Sequence, residues 1–288
     1  MPEDLQHEHP STYVVQDRAN LDERARVAVQ DQMLTRAMGG VLPEQPDLSI
    51  FRRILDVGCG TGGWLIEVAQ TYPDASLLIG VDTSGTILEY ARAQAEEQGV
   101  ADRVEFHVMD ALRMLEFPLE YFDLVNQRLG MSWLRTWDWA KLLQEYKRIL
   151  RQGGVVRITE CDTVTESSSP ALVRLSDLVF QALDQAGYFI EHRPDGVTSE
   201  LPHLLKRHGF QNIQTRAHRI EYRMGTPQGQ MYYQDVVYGL RTWRPFLQKW
   251  IKLPDDFDDL CQQTLSEMQQ PDSFAIWPLL TVWGIKQE

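Results

Sequence analysis

The 288-residue sequence is poor in cysteine, in positive charge and in long apolar runs, and each shortage excludes something. Its three cysteines, Cys59, Cys161 and Cys261, are widely separated. A disulfide framework or a zinc site of the CxxC kind is therefore not expected, and reduced thiols in a cytoplasmic protein are. Only 28 Lys+Arg stand against 41 Asp+Glu, a net charge of −13. Phosphate backbones repel such a surface, so a nucleic-acid partner is not expected, although a local basic patch is compatible with the count. The least polar long stretch, Phe274 to Ile285, is too short to span a bilayer and is broken by Pro278, so no membrane partner is expected. The opening Met1-Pro2-Glu3-Asp4 is acidic and polar, with no apolar core of a signal peptide. Also missing are GxSxG, GxxxxGKS/T and HExxH. His203 and His208 are five apart and do not share a helical face, so no metal is expected.

The chain does contain the ordinary material of a folded protein: 43% apolar, 24% charged and 10% aromatic residues. Those fractions exclude a disordered chain and suffice for one sizeable domain, alone or with a smaller appendage. Residues 1–19 are polar, with His7, His9 and Pro10. Asn20-Leu21-Asp22-Glu23 reads as a capping box, opening a helix that carries Leu21, Ala25, Ala28, Val29, Met33 and Ala37 and ends at Gly39-Gly40. Residues 1–45 are read as a helical extension or flap, and 46–288 as the main domain.

From Arg53 the chain alternates. Strands are expected at 54–57, 77–81, 104–108, 122–125 and 155–159. Helices are expected at 64–72, 86–98 and 137–150, the last capped by Gly153-Gly154. Such alternation implies a parallel sheet with helices on both faces, an α/β doubly wound fold. Beyond Glu160, residues 170–186 and 199–208 look helical, and 211–222 and 274–286 look like strands. Residues 226–270 read as a helical insertion, with helical segments opening at Thr226-Pro227 and at Pro254-Asp255. No internal repeat is visible.

The most informative segment is ILDVGCGTG (54–62). Glycines at 58, 60 and 62 allow a sharp strand-to-helix turn and a close backbone approach to a ligand. Gly58, Gly60 and Gly63 also satisfy GxGxxG, the dinucleotide fingerprint, so the turn alone leaves two cofactor classes open. Three aspartates bear on the choice. Asp56 precedes the glycines, where it would crowd a pyrophosphate but could orient a cationic amino group. Asp82 ends the second strand, placed for both ribose hydroxyls, which suits either cofactor. Asp110 ends the third, where it could accept from an adenine amino group. Together they form a line along the crevice where such sheets bind ligands.

The residues ILDVGCGTG (54–62), GVDTS (80–84), VEFHVMDA (104–111), FDLV (122–125) and LLQEYKRILRQGGVVRITE (142–160) resemble, in order and spacing, the successive motifs of class I S-adenosylmethionine-dependent methyltransferases. The resemblance covers about residues 50–160. It implies a Rossmann-like seven-stranded sheet with the last strand antiparallel, a role the 274–286 strand can fill. It also implies S-adenosyl-L-methionine as cofactor, with S-adenosyl-L-homocysteine as product. Gly58, Cys59, Gly60 and Gly62 would wrap the methionine part near Asp56. Asp82, with Thr83 beside it, would bind the ribose, and Asp110, flanked by Met109 and Ala111, the adenine. Asn126 and Gln127, just beyond the fourth strand, would face the methyl group and the acceptor.

No motif dictates an acceptor base. Glu160, at the end of the fifth strand, is the first candidate; His203 and His192 follow, while His107 reads as structural. Arg128 could clamp a carboxylate or form an ion pair to a neighbouring helix. Trp133, Trp137 and Trp139 crowd the segment after the fourth strand, and Tyr232, Tyr233, Tyr238, Trp243 and Trp250 load the insertion. Core packing is their commoner use, yet near a crevice they also suit a lid over a small apolar or aromatic acceptor, with Tyr13 on a second flap. The leading expectation is a small-molecule methyltransferase acting at O, N or C. The competing readings are a nicotinamide-dependent oxidoreductase, a protein or RNA methyltransferase, and a binding module without turnover.

Overall fold

The computed structural model of the chain describes residues 12–17, 19–45, 47, 49–162 and 166–287; the opening segment with His7, His9 and Pro10 lies outside them. Helix α1 (Leu21–Met38) begins as the capping box requires: the Asn20 side chain accepts the Glu23 N–H, and Gly39 closes the helix in the left-handed region. There follow β1 (Arg53–Val57), α2 (Gly63–Thr71), β2 (Leu77–Asp82), α3 (Gly85–Glu97), β3 (Val104–Val108) and β4 (Phe122–Arg128). After a single 3-10 turn (Gly130–Ser132) come α4 (Trp139–Ile149), β5 (Leu150–Cys161), β6 (Glu166–Ser167), α5 (Pro170–Gln185) and α6 (Leu201–Arg207). The chain then forms β7 (Phe210–Arg223), α7 (Pro227–Thr242), α8 (Arg244–Trp250), α9 (Phe257–Met268) and β8 (Phe274–Lys286).

The sheet runs β3-β2-β1-β4-β5-β8, with β7 beyond β8. Strands β1 to β5 pair in parallel, and β8 lies antiparallel to β5. This is the expected doubly wound sheet, with the two-residue β6 added beside β8 as an eighth strand. Alternation along each strand divides the core. Leu55, Val57, Ile79, Val81 and Val125 pack on one face, while Ile54, Leu78, Leu124 and Val155 pack on the other with α2 and α3. No helix among the described residues is long and apolar enough to cross a membrane.

Three boundaries differ from the sequence reading, each for a local reason. Strand β4 continues to Arg128, so Asn126 and Gln127 lie within it. Gly153 and Gly154 do not cap α4; they sit inside β5, where the register against β4 shifts. Helix α7 stops at Trp243, and α8 starts with Pro245 in its first turn, so the insertion carries three helices.

Arg157 of β5 is completely buried, and its guanidinium pairs with Glu44 at 2.5 Å and donates to Asn126 Oδ1 at 2.8 Å. That pair ties the loop after α1 to the sheet. Removing one partner of a sealed ion pair strands the other charge, so Glu44→Ala should lower unfolding stability by about 3–5 kcal/mol in urea. Arg174 and Asp256 form an exposed pair, and because water screens it Arg174→Ala should cost far less. Equal losses in the two variants would contradict this account.

Candidate active site

The site begins where β1 ends. Gly58 and Gly60 adopt φ of 68° and 53°, left-handed values that side chains resist. The N–H groups of Gly58 and Cys59 both donate to Val81 O, at 2.9 and 3.0 Å, holding the turn against β2. A Cβ on Gly58 would stand 3.3 Å from the Trp133 indole, and one on Gly60 3.0 Å from Val27 of α1. The bare backbone at these positions leaves room for a cavity of about 1320 Å³ over the strand ends. A drug-sized ligand fills about 300–1,000 Å³, so this space can take a cofactor and an acceptor together.

The three expected aspartates all line this cavity, with Cys59, Thr83, Met109 and Ala111 between them. Asp56 is buried and accepts from Asn126 Nδ2 at 2.7 Å. Burial pushes its carboxyl up to about 7, against the opposing pull of Arg128 and the Asn126 hydrogen bond. The two oxygens of Asp82 accept the N–H groups of Gly60, at 3.2 Å, and Ser84, at 2.9 Å. Asp110 accepts the Leu112 N–H at 2.9 Å and has Arg113 at 3.6 Å. Two backbone turns are thus built around the carboxylates that end β2 and, two residues beyond its last residue, follow β3.

The roof consists of α1 and α7, and its polar centre was not foreseen. Arg26 is buried; its Nε and Nη2 reach Glu23 at 2.9 and 2.8 Å, and its Nη1 reaches Asp235 of α7 at 3.2 Å. The Tyr13 hydroxyl donates to Glu23 at 2.5 Å, Thr242 donates to Glu23 at 2.9 Å, and Gln30 donates to Asp235 at 3.3 Å. The i, i+3 spacing of Glu23 and Arg26 was visible, but it reads as an ordinary pair on a solvated helix face. Tyr13, Trp133 and Tyr232 line the cavity as expected, joined by Leu172, Leu175 and Val179 of α5.

Other expectations are corrected. Successive strand residues point to opposite faces, so Asn126 and Gln127 cannot both reach the crevice, and both are fully buried outside the cavity lining. Asn126 joins Asp56 to Arg157, while Gln127 joins Tyr146 to Glu160. Gly62 also faces away, since a Cβ there would meet Phe106 at 2.7 Å. Arg128 borders the cavity, but its guanidinium is committed to Asp31 and Thr35 of α1, the ion-pair alternative. His203 and His192 are exposed and outside the lining, His192 bonded to Asp184. Trp137 is exposed and Trp139 is core.

Glu160 does not point into the crevice. Its carboxylate accepts the N–H groups of Gly130 and Met131, at 2.7 and 3.0 Å, and Gln127 Nε2 at 3.2 Å. Burial raises this carboxyl to about 7 against those three donors. Its task is to hold the turn after β4, where Leu129 has a left-handed φ of 54° and Met131, Ser132 and Trp133 face the cavity.

Residues 54–154 match the family described as a methyltransferase domain. The chain is 36% identical over 135 residues to geranyl diphosphate 2-C-methyltransferase of Saccharopolyspora erythraea, covering 46% of this chain and 42% of that protein. It is 33% identical over 119 residues to demethylmenaquinone methyltransferase of Lactococcus lactis, covering 41% and 43%. The matches thus span less than half the length of either relative. Among solved structures, phosphoethanolamine N-methyltransferase 2 of Haemonchus contortus aligns with a TM-score of 0.54 at 22% identity, over 90% of this chain and 53% of that one. The 4+2 cyclase SpnF aligns with a TM-score of 0.53 at 16% identity, over 90% and 93%. At these identities the structural likeness is one of fold, and a fold hosts many chemistries.

Glu160→Gln would set an amide NH₂ against a backbone N–H, losing one hydrogen bond and opposing two donors. Urea unfolding should show a loss of about 1–3 kcal/mol. Unchanged stability would remove Glu160 from this positioning role.

Proposed function

We propose, on the premise that residues 54–154 make up a methyltransferase domain of the class I S-adenosylmethionine-dependent kind, that the whole chain moves a methyl group from S-adenosyl-L-methionine to O, N or C of a small acceptor. One observation carries the reading: three carboxylates at the ends of consecutive parallel strands, and a glycine-rich turn, face a single roofed cavity. The residues fit the cofactor. Asp82, with Thr83 beside it, would bind the ribose, and Asp110, between Met109 and Ala111, the adenine. Asp56 and the Gly58–Gly60 turn would hold the methionine part. When bound, the cofactor supplies a methyl group activated on a sulfonium. The chain's own work is positioning and exclusion of water, which can lower a barrier by up to about 7–11 kcal/mol in favourable systems. The roof of α1 and α7, with Tyr13, Tyr232 and Trp243 on its inner side, does both.

The nicotinamide alternative meets an obstacle at Gly63, the third glycine of its fingerprint. The Asp31 carboxylate lies against the position of a Cβ there, at the N-terminus of α2. A pyrophosphate seeks that helix end, and the Asp31 carboxylate, already paired with Arg128, fills the space beside its first residue. Tryptophan fluorescence should therefore respond to S-adenosylhomocysteine and not to NADH, and Asp82→Ala should weaken the former by about 1–3 kcal/mol. A response to NADH alone would overturn the assignment.

Asp56 adds a pH dependence. Its carboxyl holds a proton below about 7 in the folded chain, and a cationic amino group favours the ionised form. Affinity for S-adenosylhomocysteine should therefore fall as pH drops through 7, by at most about tenfold per unit, with a proton released on binding. Asp56→Asn should flatten that slope. The same slope in the variant would place the titrating group elsewhere.

A further inference from the structure

Among the charged side chains of the cavity lining acids outnumber bases: ten carboxylates contribute to it and five guanidinium groups. In the roof the imbalance becomes local and buried. Glu23 and Asp235 together carry two negative charges, and Arg26 between them carries one positive charge. Asp235 is only 8% exposed. Its Oδ1 takes both of its hydrogen bonds, from Arg26 at 3.2 Å and Gln30 at 3.3 Å. Its Oδ2 receives none from the described residues, and the side chain borders the cavity.

We propose that Asp235 receives the amino group of the methyl acceptor, and that this acceptor is a primary or secondary amine on an apolar or aromatic skeleton without an anionic group. The proposal rests on the methyltransferase reading above and deepens it. A buried excess of negative charge is costly unless a cation meets it, and an ammonium group at Oδ2 completes the balance that Arg26 leaves unfinished. A hydroxyl would satisfy the oxygen but not the charge. A phosphate or carboxylate on the acceptor would enter a lining where acids already outnumber bases.

The skeleton is set by the walls. Leu172, Leu175, Val179, Leu240, Trp243 and Trp277 offer apolar and aromatic surface on the same cavity. Indole faces also attract cations. An ammonium ion carries no lone pair and must lose a proton before its nitrogen can bond to carbon. That proton passes to Asp235 Oδ2, leaving a neutral carboxyl and a neutral amine; the lone pair of that amine would form the nitrogen–carbon bond as the carbon–sulfur bond of the donor breaks, the sulfur keeping the electron pair and the methylated nitrogen taking over the positive charge. Burial raises this carboxyl, so it accepts a proton more readily than an exposed aspartate does, while Arg26 opposes the rise.

The test uses the full chain saturated with S-adenosylhomocysteine and three probe skeletons, phenyl, indolyl and octyl, each carried as an ethylamine, an ethanol and a propanoate. Binding is read by tryptophan fluorescence, and transfer by a labelled methyl group from S-adenosylmethionine. On at least one skeleton the amine should bind at least about tenfold more tightly than the alcohol, and the carboxylate should not bind. Asp235→Asn keeps an amide oxygen for Arg26 and Gln30 but no charge, and should lose at least about tenfold more in amine affinity than in affinity for S-adenosylhomocysteine. The wild-type preference among head groups stands as evidence even if the variant folds poorly. Four results would overturn the proposal: no amine binding on any skeleton, an alcohol or carboxylate matching its amine, an unaltered amine affinity in the variant, or a variant weakened for S-adenosylmethionine and not for S-adenosylhomocysteine. The last would set Asp235 against the donor's sulfonium. Failure of the wild-type chain to bind S-adenosylhomocysteine at all would instead sink the methyltransferase reading.

Discussion

A guanidinium cut off from water must find its counter-charges within the protein, and Arg26 finds them on two helices. Glu23 belongs to its own helix; Asp235 lies 209 residues further along the chain. Because a buried charge left alone is far costlier than a paired one, α1 and α7 are held together as a single roof. Tyr13 and Thr242 complete the hydrogen bonding of Glu23 from either side. The cavity is the space between that roof and the ends of β1, β2 and β3. Without the pairing, the aspartates would lie in an open groove, where water weakens every electrostatic contact they could make.

Beneath the cavity the same rule acts twice more, once on each face of the sheet. Asp56, Asn126 and Arg157 stand opposite one another across β1, β4 and β5, and Glu44 ends the row. On the opposite face Tyr146, Gln127 and Glu160 form a second row, which ends on the backbone of the turn after β4. These rows consume polar side chains that look available for chemistry. In return they fix the floor: one sets the electrostatic surroundings of Asp56, and the other aims Trp133 at the glycine turn.

The sheet was legible because its physics is local. Short apolar strands, glycine turns and amphipathic helices declare their period within a few residues, and the aspartates at the strand ends follow from it. The strand at 274–286 was also readable, and its antiparallel direction followed from the family resemblance. What stayed hidden depends on contacts between distant segments. Leu21 suits an apolar helix face, yet it is 66% exposed, while Glu23 and Arg26 are buried. Nothing in residues 20–38 announces that α7 will cover their charged side. Asp235 looks like any helical aspartate until Arg26 is placed beside it. Asn126 and Gln127 were a different kind of miss. Had the fourth strand been extended to Arg128, the period of two would have sent them to opposite faces. Glu160 is readable as a carboxylate near a strand end, but no sequence signal shows that the turn at Gly130 needs an acceptor.

On the reading proposed above, the turn after β1 and the ends of β2 and β3 receive one adenosyl ligand beneath the roof made by α1 and α7. Amide hydrogen exchange with and without saturating S-adenosylhomocysteine tests this most directly. The account predicts slower exchange, appearing together, at the amides of 58–62, of 82–85 and of 109–112, and along α1 and α7. Bound ligand with unchanged exchange at those three strand ends would contradict it.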